Sequence, residues 1–233
     1  MALSPAAIPL RDYRTYLDEY LRQVSAPFES VAGRIIEERL PAGYGRDPLL
    51  PCLVLWAGAA CGADIADCAP IAAAFDLFDR FLLLHDELSA QAAPAVQRWG
   101  LGQSLNAGDA LYALAFRYLA AAVRRPERRL AVAKLVAEAV LSAIECDADD
   151  GKASAVLTAA ALQAGAALAG ADERLWPEFA AAGRLLAAAA FASDAASARE
   201  VSAQAVAVLR GCAPGADLDA LEEVAAYVAR HAG

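Results

Sequence analysis

The 233 residues are 59% hydrophobic and 21% charged, with 29 acidic against 20 basic side chains and a formal net charge of −9. So much apolar surface argues against a disordered or fibrous chain and suffices for a sizeable buried core, so 1–233 is read as one domain. A pI near 4.7, with no basic run longer than Arg124-Arg125, argues against polyanion binding, and no nucleic acid is expected as a partner.

Ala and Leu dominate and nothing alternates polar with apolar long enough for a strand, so the fold class is all-α. Helices are predicted at about 10–22, 27–40, 48–62, 66–89, 104–123, 127–148, 152–170, 174–197, 199–211 and 217–231. Pro9, Pro27, Pro48, Pro51, Pro70, Pro126 and Pro177 each fall near the start of an apolar-periodic run, where the missing N–H is harmless. Met1-Ala2-Leu3-Ser4-Pro5 has no basic, then apolar, leader pattern. Five cysteines, an odd number with no C-x-x-C pair, read as buried free thiols of a cytoplasmic protein. The uncharged stretch from Ala153 to Ala171 is poor in large side chains, so a buried helix is expected there and no membrane span.

A bundle of Ala-rich helices builds its ligand site between facing helices. Function is therefore sought as polar residues on helix faces that should be apolar. Between Phe75 and Ser89 two stripes separate at helical spacing: Phe75, Phe78 and Leu82 on one side, and Asp76, Asp79, Leu83, Asp86 and Glu87 on another. A solvated acidic face fits this row. The apolar run Phe81 to Leu84 just before His85-Asp86-Glu87 fits instead a row looking into a cavity, where clustered carboxylates hold Mg²⁺.

With these residues in hand, the sequence resembles the trans-polyprenyl diphosphate synthases over nearly its whole length. Leu83-Leu84-His85-Asp86-Glu87-Leu88 is similar to the family's first Asp-Asp-x-x-Asp motif, which a histidine precedes. Gly102 to Leu111, containing Asn106, Gly108 and Asp109, resembles the Gly-Asp helix that follows it. Lys152 to Ser154 and Gly165 to Asp172 resemble the Lys-Thr helix and its Gly-Ala tail, and Phe179 to Ala195 resembles the helix of the second aspartate motif. The resemblance implies an isoprenoid synthase-type helical bundle around a central cavity, with Asp86 and Asp194 on facing helices. It also implies Mg²⁺ at Asp86, Glu87 and Asp194, and substrate contacts from Arg46, Phe81, His85 and Lys152. At Phe81, five residues before Asp86, the family sets product length, and an aromatic ring there floors the pocket early.

Departures from the family pattern bear on activity. The first motif reads Asp86-Glu87-Leu88-Ser89-Ala90 and keeps two acids; the second reads Asp194-Ala195-Ala196-Ser197-Ala198 and keeps one. The Gly-Lys-x-x-Arg-Pro loop expected for isopentenyl diphosphate is Gly43-Tyr44-Gly45-Arg46-Asp47-Pro48, and the pocket's histidine is Asp79. A carboxylate in place of a cation repels a diphosphate. Lys152 comes only seven positions after Glu145, where the family has a glutamine, and the lysine-rich loop expected after Asp194 is missing.

Two roles follow from the resemblance. One is a non-catalytic accessory or regulatory subunit, or a binder of a prenyl chain, impaired in isopentenyl diphosphate condensation. The other is a divergent Mg²⁺-dependent enzyme acting on an allylic prenyl diphosphate through Asp86, Glu87 and Asp194. The segment Leu111 to Leu119 is apolar on nearly every face, which suits a dimer with itself or with a motif-complete synthase. Asn106 and Asp109 are read as anchors of the loop before their helix or as ligand contacts, and Lys152 as a diphosphate contact or a solvated first-turn residue. Asp147, Asp149 and Asp150 read as a solvated turn, His231 as a cation at a helix C-terminus, and Arg124, Arg125, Arg128 and Arg129 as an exposed cluster.

Overall fold

A computed structural model describes residues 10–24, 34–35, 49–89, 94–121, 126–146, 151–213, 216 and 219–230. The helices among them are α1 (Leu10–Val24), α2 (Leu49–Ala60), α3 (Ile65–Ser89), α4 (Pro94–Trp99), α5 (Leu101–Ala121), α6 (Pro126–Ile144), α7 (Lys152–Ala169), α8 (Trp176–Ala190), α9 (Ala195–Cys212) and α10 (Asp219–Arg230), with a 3₁₀ turn at Glu173–Leu175. No strand occurs among the described residues, in agreement with the all-α reading. Proline opens α4 at Pro94 and α6 at Pro126, and stands second in α8 at Pro177, where its fixed φ suits a first turn. Pro70 differs, lying inside α3. Of the predicted helix 27–40 only Arg34 and Ile35 are described, both helical; Arg46 and its loop, Asp147, Asp149, Asp150, Arg124, Arg125 and His231 lie outside the described residues.

The helix predicted over 174–197 is a correction. It stops at Ala190, and a four-residue break ends on Asp194, which opens α9. The short helix α4 was also absent from the sequence reading, and α5 starts at Leu101, three residues before its predicted start.

Helix α7 is the centre of the bundle, packed against α2, α6 and α8. It is long and apolar enough to cross a membrane by length and composition, yet 61% of it is buried inside the fold. Its close neighbours are possible because side chains are absent where backbones meet. A Cβ on Gly165 would strike the carbonyl oxygen of Val54 on α2. One on Gly183 of α8 would stand 2.5 Å from the Cα of Ala159. The end of α7 is sealed by Gly170 at φ 83° and by Arg128 of α6, whose Nη1 donates to the carbonyls of Leu168 (3.0 Å) and Ala169 (2.9 Å). Arg129 donates to the carbonyl of Ala120 at 3.0 Å. These two arginines are half-buried caps and not the exposed cluster their spacing suggested.

Chain direction then decides which helix ends meet. Gln163 donates to the carbonyl of Trp176 at 3.1 Å, so α7 and α8 are antiparallel and Lys152 lies at the α8–α9 end. Burial raises the Cys61 thiol just after α2, and Cys212 in the last turn of α9 is near enough to add to that rise, so α9 and α2 finish together. On α3 and α5, His85 meets Gly108 while Phe78 meets Phe116, again antiparallel. The C-terminal end of α3, the N-terminal ends of α5 and α7, and the α8–α9 junction therefore share one end of the bundle.

Candidate functional site at one end of the bundle

The acidic row of α3 changes character along its length. Asp76 is buried at 5% exposure, and Arg80 grips it with Nε at 2.6 Å from one oxygen and Nη2 at 3.1 Å from the other. Burial pushes the Asp76 carboxyl above its ordinary range, Arg80 pulls it back by charge and hydrogen bonding, and Asp18 of α1 pushes it up again. This pair is internal architecture, so the row does not look into a cavity as a whole. Asp79 is half-buried, Asp86 exposed and Glu87 half-buried, so within this row only Asp86 is fully open to solvent.

His85 is the residue of that end most tightly held. Its ring packs 4.6 Å from that of Phe81, and Nε2 is buried with no hydrogen-bond partner. A Cβ on Gly108 would lie 2.5 Å from that nitrogen. Glycine inside a helix costs about 1 kcal/mol relative to alanine, and at Gly108 the absent side chain makes room for the imidazole. Phe81, 8% exposed, also meets Tyr112 at 5.2 Å, and Tyr112 meets Phe116 at 4.9 Å and Phe78 at 5.6 Å. A continuous aromatic seam thus joins α3 to α5 one to two turns below Asp86.

Asp194 stands in a different setting. It is the N-cap of α9: one carboxylate oxygen accepts from the N–H groups of Ala196 (2.8 Å) and Ser197 (2.9 Å), and the other from the Ser197 hydroxyl (2.8 Å). The Ser197 N–H, then its hydroxyl, then the Ala196 N–H hold the carboxyl below its usual range. Asp194 is exposed and stands at the cap position before α9, so the expectation that it lies within a helix is corrected.

Lys152 is exposed in the first turn of α7, at this same end. Asn106 and Asp109 are exposed on α5, and the loop before that helix is tied instead by Ser104, whose hydroxyl donates to the carbonyl of Gly100 at 3.0 Å. Mg²⁺ takes oxygen ligands in octahedral geometry, usually one or two carboxylates with water and phosphate. Among the described residues no three His, Cys, Asp or Glu side chains gather as such a group. Asp86 and Glu87 adjoin on α3, whereas the oxygens of Asp194 face the cap donors of α9. The described donor set does not fit a cluster of several Mg²⁺ ions shared between two motifs.

Three features escaped the sequence reading. The Asp76–Arg80 pair has the four-residue spacing of a helical ion pair. Gly108, a glycine within a helical pattern, signals a close approach. Ser193-Asp194-Ala195-Ala196-Ser197 before an apolar run carries an N-cap signal, which the family pattern masked by assigning the aspartate another task.

No family model matches the chain. It is 42% identical over 73 residues to a geranylgeranyl diphosphate synthase of Mycobacterium tuberculosis, covering 29% of this chain and 21% of that protein. A geranylgeranyl diphosphate synthase of Methanosarcina mazei is 28% identical over 166 residues, 61% of this chain and 51% of that protein. The matches thus span from about a fifth to about half of these relatives' length. Among solved structures, a geranylgeranyl pyrophosphate synthetase from the archaeon Geoglobus acetivorans superposes with TM-score 0.77 at 16% identity, over 95% of this chain and 96% of that one.

Proposed function

We propose, from the premise that this chain is related in sequence to the isoprenyl diphosphate synthases and shares their fold, that it binds a prenyl chain without condensing isopentenyl diphosphate and serves as an accessory subunit. The observation that carries this reading is Asp194, whose carboxylate oxygens accept from the backbone and hydroxyl groups that start α9. Releasing that carboxylate to a metal would uncap the helix. Asp79 adds a negative charge on α3 where the family pattern has a histidine, and so opposes a diphosphate.

A prenyl chain is apolar, and the seam of Phe81, Tyr112 and Phe116 offers it rings at the end where Asp86, Glu87 and Lys152 lie. Phe81 is packed between His85 and Tyr112 and limits how deep a chain can enter. A second chain covers α5 in this proposal, as a homodimer or with a motif-complete synthase. Leu101 (53% exposed), Leu105 (38%) and Tyr112 (37%) follow one another on one face of α5 and leave it uncovered in a single copy.

The divergent Mg²⁺-dependent enzyme acting through Asp86, Glu87 and Asp194 is the competing reading. An assay with labelled isopentenyl diphosphate and allylic starters of several lengths separates the two. No condensation is expected, and turnover on the order of 1 s⁻¹, ordinary for an enzyme, would overturn the proposal. For the dimer, light scattering is expected to give a mass above 24.2 kDa for the chain alone or with its synthase partner, and Phe116→Glu is expected to dissociate it.

A further inference from the structure

A separate groove, of about 640 Å³, opens between α9 and α10. That volume suits a small organic ligand. Arg199, Ser202, Ala203, Val206 and Arg210 line it from α9 at helical spacing, and Glu222 and Ala225 face them from α10. Most of the wall is therefore short and apolar.

Its polar groups are few and unequal. Ser202 is 1% exposed, and its hydroxyl has no hydrogen-bond partner, although a helical serine can return that proton to the carbonyl four residues back. Buried hydroxyls left unpaired are costly, so an unpaired one lining a groove points to a missing acceptor. Arg210 is approached by Glu222 at 3.7 Å. Arg199, at the rim, has no ion pair or hydrogen bond among the described residues. Two arginines and one glutamate leave one positive charge, and the free one adjoins the free hydroxyl.

We propose that this groove binds a monocarboxylate with an apolar tail. The planar guanidinium fork of Arg199 receives the carboxylate, Ser202 donates to it, and the tail lies along Ala203, Val206 and Ala225. A single residual cation in a chain of net charge −9 suits a monoanion better than a doubly charged phosphate ester. The site shares no residue with the prenyl-binding proposal and stands or falls separately.

Titration of the full-length chain with decanoate by calorimetry tests it, with decanol and decyl phosphate as comparisons. One saturable site is expected, with decanol and decyl phosphate each binding more weakly than decanoate. Arg199→Gln is expected to weaken decanoate about tenfold or more. Ala203→Leu, which fills the groove, is expected to abolish binding while circular dichroism confirms an unchanged helical fold. Geranylgeranyl diphosphate is expected not to displace decanoate. Absence of saturable heat, equal binding by both variants, tighter binding of decyl phosphate, or displacement by the diphosphate would each overturn the proposal.

Discussion

The end of α3 and the α8–α9 junction are both acidic and lie at one end of the bundle, yet they use their carboxylates in opposite ways. On α3 the chain is already helical where Asp86 stands, and the geometry is held by neighbours: Arg80 against Asp76 below, and Gly108 of α5 making room for His85. At the junction the chain must start a helix, and Asp194 does so with both oxygens. The difference shows that an aspartate's position in a motif does not decide its chemistry. The backbone donors within its reach do.

The α3 side breaks most severely at its buried ion pair. Arg80→Met leaves Asp76 charged and uncompensated at 5% exposure, and chemical denaturation is expected to show a loss of about 3–5 kcal/mol. A loss under 1 kcal/mol would mean that Asp76 reaches water or another donor.

Next in size is the contact between His85 and α5. Gly108→Ala places a methyl 2.5 Å from Nε2 and is expected to cost about 1–3 kcal/mol by overpacking. In a double-mutant cycle His85→Ala is expected to relieve much of that cost, because the clash needs the imidazole. Strict additivity would show that α5 yields elsewhere.

The smallest effect is expected at the junction, and it carries a pH signature. Asp194→Ala removes the N-cap and lowers stability modestly, and Asp194→Asn, still an acceptor, restores most of it. The folded-state pKa of Asp194 lies below its unfolded value. Its stabilisation is therefore complete above the ordinary carboxylate range and fades as pH falls through the depressed folded value. The stability difference between wild type and Asp194→Ala should shrink on acidification from pH 5 downward. A difference independent of pH would contradict the capping role.

Helical periodicity and proline punctuation revealed the all-α class and most helix positions, because they are local properties of the chain. The helix expected over 174–197 failed because Phe179 to Ala190 and Ala195 onward are both Ala-rich, and only the polar pair Ser193-Asp194 marks the break. The buried state of Asp76 was invisible because burial depends on α1 and α3 packing together, which no window of sequence contains. His85 was found by its place beside the acids, whereas its dependence on Gly108 arises from two helices that meet 23 residues apart in the chain.

In the proposal above, this bundle holds a prenyl chain without a metal-bridged diphosphate. Calorimetric titration of geranylgeranyl diphosphate into the protein, with and without Mg²⁺, tests it most directly. Binding of similar affinity is expected in both conditions, lowered by Phe81→Ala or Tyr112→Ala, since the apolar seam supplies the contact. Binding that appears only with Mg²⁺ and is lost in Asp194→Asn would contradict it, because that aspartate would then be serving a metal and not the start of α9.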